Sequence, residues 1–179
     1  MRASRCTCRR QECSTILAHV SLYVSARTIA ALCLLLIGDL ACAQTIRVRD
    51  DRGVVVELAA PARRVITFAP NLTELAFAVG GAQAVIATDS GSDYPEAARH
   101  LPRVSDAAGV DLERVLALQP DLILGWLSGN GAIDFARLAK LGIPIFLSEP
   151  RRVSDVARTL RVLGTLLGTS SVAEQQALS

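Results

Sequence analysis

The side chains most often used for catalysis are scarce in this sequence. The two histidines, His19 and His100, are far apart, so no pair has the spacing of metal ligands. The patterns of nucleophile elbows, phosphate loops and dinucleotide sites are absent, and Gly80-Gly81 follows a predicted helix rather than opening one. Asp111 and Glu113 lie on neighbouring, not facing, helical positions. The sequence therefore predicts no catalytic residue, no metal site and no cofactor.

Cysteine chemistry is confined to the start of the chain. All five cysteines, at positions 6, 8, 13, 33 and 42, precede residue 44. Cys6, Cys8 and Cys13 have neither regular spacing nor partner histidines, so the metal-cluster alternative has little support. The chain from residue 44 onward is therefore expected to contain neither a disulfide nor a reactive thiolate.

Residues 1–43 are predicted to be a leader. Arg27 precedes an apolar run over residues 29–37, and Ala41-Cys42-Ala43 offers a small-residue cleavage site, which together are typical of a signal peptide cut after Ala43. A buried core helix is one alternative. Lipidation of Cys42 is another, although Asp39 stands where a lipoprotein signal would carry an apolar residue.

Charge divides at the same boundary. The first 43 positions contain five arginines and two acidic residues, whereas the rest of the chain contains 14 basic and 15 acidic residues. The basic balance belongs to the leader, so the sequence does not favour nucleic acid as a partner. An exported, periplasmic protein is expected.

Short apolar strands and amphipathic helices alternate after the leader. Residues 45–48 and 54–58 predict a hairpin at a sheet edge. Strands are predicted at 65–68, 84–88, 103–105, 122–125 and 144–147, and helices at 71–79, 95–100, 111–118, 133–141 and 153–167. This alternation predicts an α/β fold with a mostly parallel sheet flanked by helices.

Several helix boundaries have specific predictions. Asn71 is predicted to cap its helix, with Glu74 closing a capping box, and Asp111 to cap another. A last helix is predicted to start from a serine cap at Ser170 and to stop abruptly near Ser179, which favours a truncated chain.

Four segments carry a resemblance to a known family. They are VITFAPNLTEL from Val65, SDYP from Ser92, DLER from Asp111 and LQPDLILGW ending at Trp126. Their order and spacing resemble those of periplasmic vitamin B12-binding proteins, which belong to the helical-backbone substrate-binding proteins for cobalamin, haem and iron siderophores. The similarity spans residues 45–179, nearly all of the chain after the leader.

The resemblance implies one Rossmann-like lobe of a two-lobed protein. Residues 44–167 would form the N-terminal ligand-binding lobe, and residues 168–179 the first turns of the helix that joins the lobes. The implied function is capture of cobalamin or another corrinoid in the periplasm and delivery to an inner-membrane ABC permease, with a monomer expected. A haem or iron-siderophore receptor of the same group is the alternative, and a secreted flavodoxin-like enzyme is a remote third.

The resemblance also implies site residues. Trp126 matches a tryptophan that lines the corrinoid cleft, and its predicted position just past the carboxyl end of a strand suits ligand contact, whereas a core anchor is the alternative. Tyr94 could add a ring or pack beneath the following helix. Asn71 and Thr73 begin a helix whose positive end could attract a ligand group, or they could merely cap it.

Two positions depart from the family pattern, and one matches a docking residue. Gly91 and Ala107 stand where the family carries aromatic residues, so cobalamin recognition is expected to be weaker or to be replaced by that of a related ligand. Glu113 matches a glutamate that docks against arginines of the permease. The alternative for Glu113 is a favourable interaction with the positive end of its own helix.

Overall fold

The computed structural model describes residues 45–106, 109–130 and 132–179, and of residues 132–134 only the backbone. The predicted leader of residues 1–43, its cleavage site and Cys42 lie outside the described residues, as does Ala107. Within the described part of the chain, no helix is both long enough and apolar enough to cross a membrane.

Two short strands, β1 (Ile46–Arg49) and β2 (Val55–Leu58), form the predicted hairpin. The turn between them is built by Asp50, whose buried carboxylate accepts two backbone N–H groups of the turn at 2.9 Å each. Gly53 has a φ of 83°, a conformation that glycine adopts without steric cost. The hairpin is therefore confirmed.

The expected position of this hairpin is wrong. It forms a two-stranded sheet of its own instead of lying at the edge of the main sheet. Val56 and Leu58 alternate with exposed residues along β2 and are buried in the core, so the hairpin packs by its apolar face rather than by its edge. The turn of the hairpin is hydrogen-bonded to β8: the Asp51 N–H donates to the Leu147 carbonyl at 3.0 Å, and the Arg52 guanidinium donates to the Ile145 carbonyl at 3.3 Å.

The main sheet has six strands. They are β3 (Val65–Thr67), β4 (Val85–Asp89), β5 (Arg103–Asp106), β6 (Gly109–Val110), β7 (Leu122–Trp126) and β8 (Ile145–Ser148). Their spatial order is β6-β5-β4-β3-β7-β8, and every neighbouring pair is parallel except β5 and β6. The mostly parallel sheet is confirmed, whereas β6 was not predicted because two residues carry no periodic pattern.

Helices cover both faces of this sheet. They are α1 (Pro70–Ala78), α2 (Leu112–Leu118), α3 (Ala132–Ala139), α4 (Val153–Leu167) and α5 (Ser170–Leu178), with 3₁₀ turns at Ala82–Ala84 and Glu96–His100. Val65 and Leu122 join one core cluster with α1, α4 and α5, while Ile66 and Ile123 join a second with α2 and α3. This alternation along the strands produces a three-layer fold.

The predicted helix caps have mixed outcomes. Asp111 caps α2 as expected, since its carboxylate accepts the Arg114 N–H at 2.9 Å. Asn71 does not cap α1, because that helix starts at Pro70, whose fixed φ and missing N–H suit the first helical position. Ser170 lies inside the first turn of α5 rather than at its cap, because the chain passes from α4 to α5 in a tight turn through Gly168, whose φ is 72°.

The hairpin turn is fastened to the end of β8 by Asp51. Its carboxylate forms a salt bridge with Arg158 at 2.7 Å and accepts the Glu149 N–H at 2.5 Å. Burial raises the pKa of Asp51, but the hydrogen bonds from Arg158 and Glu149, together with the positive charge of Arg158, outweigh it, and the pKa lies below its ordinary value. The ionised carboxylate is therefore the form that stabilises this junction.

Replacing Asp51 with asparagine should destabilise the chain by about 1 kcal/mol at neutral pH, since the partner Arg158 is half-exposed and solvent screens the pair. A carboxylate with a lowered folded pKa contributes stability above the unfolded pKa and loses it as pH falls through the folded pKa. The difference between wild type and Asp51→Asn in urea unfolding should therefore shrink between neutral pH and about pH 3. A difference that is the same at both pH values would contradict this assignment.

Candidate functional site

The carboxyl ends of β3, β4, β7 and β8 lie along one edge of the sheet because these strands are parallel. After β3 the chain moves to β4 on one side, and it later returns to β7 on the other side. Open α/β sheets bind ligands at such a change of direction, in the crevice beyond the strand ends. The candidate site is therefore the crevice between the loops that follow β3 and β7.

Trp126 stands at this crevice. It is the last residue of β7 rather than a residue beyond it, and 40% of its surface is exposed. The indole rests against Gly129, because a Cβ added to that glycine would lie 2.0 Å from the ring atom Cε3. A tryptophan with one face supported and substantial exposed surface can offer a flat apolar surface to a ligand.

Two side chains that the sequence did not single out hold the segment after Trp126: Asn130 of the segment itself and Glu149 of the loop after β8. The Asn130 side chain accepts the Trp126 N–H at 2.8 Å and donates to the Phe68 carbonyl at 2.7 Å. The carboxylate of Glu149 accepts the N–H and the hydroxyl of Ser128, both at 3.0 Å. The only local signal for this arrangement is the position of Asn130 directly after Gly129, just past a strand end.

Tyr94 lies in the loop that follows β4 and is 65% exposed. The loop is fastened by Asp89, whose carboxylate accepts the Gly91 N–H at 3.1 Å and the Ser92 hydroxyl. Arg103 adds hydrogen bonds to the carbonyls of Asp89 and Ser92 at 2.8 and 2.6 Å. The predicted residue is thus exposed on an anchored loop at the same edge of the sheet as Trp126.

Thr73 is placed inside the lobe rather than on its surface. Its side chain is fully buried, and its hydroxyl contacts those of Thr67, Ser92 and Thr88 at 2.6, 2.8 and 3.0 Å. This hydroxyl cluster joins α1 to the ends of β3 and β4 and to the loop that carries Tyr94. The predicted ligand contact through Thr73 is not available in this arrangement, because its hydroxyl is enclosed by these partners.

Asn71 lies in the first turn of α1 and is half-buried. Its Oδ1 atom is buried and has no hydrogen-bond partner among the residues that the structure describes. A buried amide oxygen without a partner costs free energy, which a hydrogen-bond donor from a ligand or a water could recover.

Glu113 is exposed in the first turn of α2. Val115 of the same helix is buried in the core cluster that includes α3. The helix α2 therefore covers the face of the main sheet opposite to the face covered by α1 and α4. The Glu113 carboxylate is exposed and therefore accessible to another macromolecule.

Among the residues that the structure describes, no three His, Cys, Asp or Glu side chains are grouped closely enough to hold a metal ion. Of the two positions that lack the family's aromatic residues, Gly91 is exposed in the Tyr94 loop, and Ala107 lies outside the described residues. Trp126 and Tyr94 are the exposed aromatic side chains that the described residues place at this edge of the sheet.

Comparison with known proteins gives consistent results. A family model described as periplasmic binding protein matches residues 65–177. The vitamin B12-binding protein of Yersinia pestis is 46% identical over 99 residues, which cover 55% of this chain and 35% of that protein. The chain thus spans about a third of the length of the curated relatives it matches.

Solved structures of periplasmic binding proteins also resemble the chain. The periplasmic vitamin B12 binding protein of Vibrio cholerae has a TM-score of 0.63 at 34% identity, over 66% of this chain and 46% of that one. A periplasmic heme binding protein of Pseudomonas aeruginosa has a TM-score of 0.61 at 26% identity, over 65% and 42% of the two chains. The family match begins at β3 and ends within α5, and so contains the whole main sheet. The chain belongs to the periplasmic binding protein family.

Proposed function

We propose that the chain forms a ligand-capturing lobe that binds cobalamin or another corrinoid and delivers it to an ABC permease. The observation that carries the proposal is the half-exposed indole of Trp126 at the carboxyl ends of β3 and β7. A corrinoid is a flat macrocycle with amide side chains, so a supported aromatic surface beside hydrogen-bonding groups matches its chemistry.

The relatives support this choice of ligand. Vitamin B12-binding proteins match at 46% identity among curated proteins and at 34% among solved structures. Haem is the second candidate, because a heme binding protein resembles the chain at 26% identity with a similar fold. Haem is also a flat macrocycle, so one exposed tryptophan suits either ligand.

Isothermal titration of the complete gene product with cyanocobalamin, cobinamide and haem tests the proposal. We expect the tightest binding with a corrinoid. Binding of haem alone would favour the second candidate, and binding of none of the three would contradict both. Quenching of Trp126 emission by the same ligands, followed in separate titrations of the 179-residue chain, should report contact with the crevice.

The other predicted contact residues receive separate roles in this proposal. Tyr94 contributes a second ring from the anchored loop after β4. Asn71 offers its amide to the ligand after a rotation of the side chain that brings the buried, unpartnered Oδ1 to the surface. Thr73 acts indirectly, since its buried hydroxyl joins α1 to the loop that carries Tyr94.

We further propose that residues 1–43 export the chain to the periplasm, that residues 44–167 form the lobe, and that residues 168–179 begin the connection to a second lobe. The protein would act as a monomer without catalysis of its own. The periplasmic location of the named relatives supports the export step.

Glu113 is our candidate for docking on the permease. It is exposed on α2, on the face of the sheet opposite α1, and a carboxylate there could pair with arginines of a membrane partner. A charge at the edge of an interface orients a transient partner and raises the association rate more than it raises the affinity of the complex.

Replacing Glu113 with alanine should reduce the stimulation of ATP hydrolysis by the permease several-fold and leave ligand affinity unchanged. The measurement is the ATPase rate of the reconstituted permease at increasing concentrations of binding protein. Glu74→Ala, an exposed glutamate of α1 on the opposite face, is the matched control and should have no effect. Normal stimulation by Glu113→Ala would leave that residue with a helix-stabilising role only.

A further inference from the structure

The segment from Trp126 to Asn130 closes on itself. The Asn130 N–H donates to the Trp126 carbonyl at 3.1 Å, and the Trp126 N–H donates to the Asn130 side-chain oxygen at 2.8 Å. Both backbone polar groups of the tryptophan are therefore bonded to a single residue four positions later. This arrangement fixes the backbone from which the indole projects.

The same asparagine connects this segment to the opposite side of the crevice. Its amide nitrogen donates to the Phe68 carbonyl at 2.7 Å, just past the end of β3. One amide group thus bonds to the end of β7 through its oxygen and to the end of β3 through its nitrogen. An aspartate of equal size could keep the first bond but would lose the second, because a carboxylate has no donor.

Glu149 supports the outer part of the segment. Its two carboxylate oxygens accept the N–H and the hydroxyl of Ser128, and its own N–H donates to Asp51 at 2.5 Å. The hairpin turn is thereby connected through Asp51 and Glu149 to the loop that follows Trp126. A glutamine at position 149 could accept only one of the two bonds from Ser128 in the same geometry.

Gly129 supports the ring itself. A Cβ at this position would lie 2.0–2.6 Å from three atoms of the Trp126 ring system. Real side-chain carbons do not approach so closely, so any residue other than glycine must displace the indole. The position of the ring therefore depends on a glycine that the sequence pattern alone did not identify as functional.

We propose that Gly129, Asn130 and Glu149 are positioning residues that hold the Trp126 indole over the crevice in its ligand-binding orientation. The role in ligand binding rests on the proposed function, whereas the effect on the indole does not. Each residue acts through Trp126 or its backbone and is not required to touch the ligand.

The test uses the emission of Trp126, the single tryptophan of the 179-residue chain. Gly129→Ala, Asn130→Ala and Glu149→Gln should each shift the emission maximum, lower the fluorescence anisotropy and raise quenching by acrylamide. Glu174→Gln, which removes an exposed ion pair with Arg161, is the matched control and should leave all three unchanged. Unaltered emission, anisotropy and quenching in all three variants would overturn the proposal whatever the ligand.

Cyanocobalamin titration separates this proposal from the proposed function. Affinity for cyanocobalamin should fall about fivefold in Asn130→Ala, because the loss of one orienting hydrogen bond costs about 1 kcal/mol. Altered fluorescence with unchanged affinity would overturn the role in ligand binding. If wild type binds neither cyanocobalamin nor haem, the proposed function fails, while the fluorescence comparison still decides the positioning role. If circular dichroism shows that Asn130→Ala does not fold, Asn130→Asp replaces it in both measurements. This variant keeps the size of the side chain and the hydrogen bond to the Trp126 N–H but loses the bond to the Phe68 carbonyl.

Discussion

Trp126→Ala is expected to weaken corrinoid binding by about 2 kcal/mol, or roughly 30-fold, because central tryptophans often dominate the energy of an interface. The residue occupies the strand end at the change of sheet direction, with 40% of its surface exposed and Gly129 beneath its ring. Removing the ring deletes the apolar surface on which a flat macrocycle would lie. Isothermal titration of the complete gene product with cyanocobalamin measures the loss directly.

Two companion variants interpret that result. Trp126→Phe should retain part of the affinity, since a smaller ring still covers some of the macrocycle. Leu116→Ala, an exposed apolar residue of α2 outside the crevice, should bind as wild type does. Unchanged affinity in Trp126→Ala, with the fold intact, would make this residue a structural anchor and would move the ligand site elsewhere.

Phe68→Ala should destabilise the chain by roughly 3–5 kcal/mol, the usual range for truncating a buried aromatic side chain. Phe68 is 2% exposed and meets Phe135 edge to face, with ring centroids 6.3 Å apart and an interplanar angle of 86°. Its removal leaves a cavity between the sheet and α3 and deletes a favourable aromatic pair. The midpoint of urea unfolding, followed by circular dichroism, measures the change.

Phe68→Leu is the matched control for volume. It keeps most of the buried apolar surface and should cost about 1–2 kcal/mol, well below the alanine variant. Equal losses in the two variants would assign the effect to the aromatic pair rather than to the cavity. A loss below about 1 kcal/mol in Phe68→Ala would mean that the site collapses without a void.

The main sheet was predictable because its strands are short apolar runs separated by helical periods. Val65 to Phe68 and Leu122 to Gly125 differ by only one residue from β3 and β7. Helix boundaries that depend on backbone geometry were harder to predict from the sequence. The start of α1 depends on Pro70 at its first position, which displaced the predicted cap at Asn71.

The candidate site was predictable only in part. Trp126 is indicated by the family resemblance and by its place after an apolar strand, and Glu113 by the resemblance alone; the roles of both stay predictions. Asn130 and Glu149 could not be identified, because their decisive hydrogen bonds reach Phe68, 62 positions away, and Ser128, 21 positions away. Contacts over such separations follow from the assembled sheet and leave no periodic trace in the sequence.

The hydroxyl cluster of Thr67, Thr73, Thr88 and Ser92 has a consequence for how the family can diverge. Each of these hydroxyls has at least two partners, so a Thr→Val replacement at position 67 or 88 leaves its neighbours bonded, whereas Thr73→Val deletes three hydroxyl contacts at once. Substitution at position 73 should therefore cost more free energy of folding than substitution at position 67 or 88. Homologous lobes are expected to vary more freely at positions 67 and 88 than at position 73.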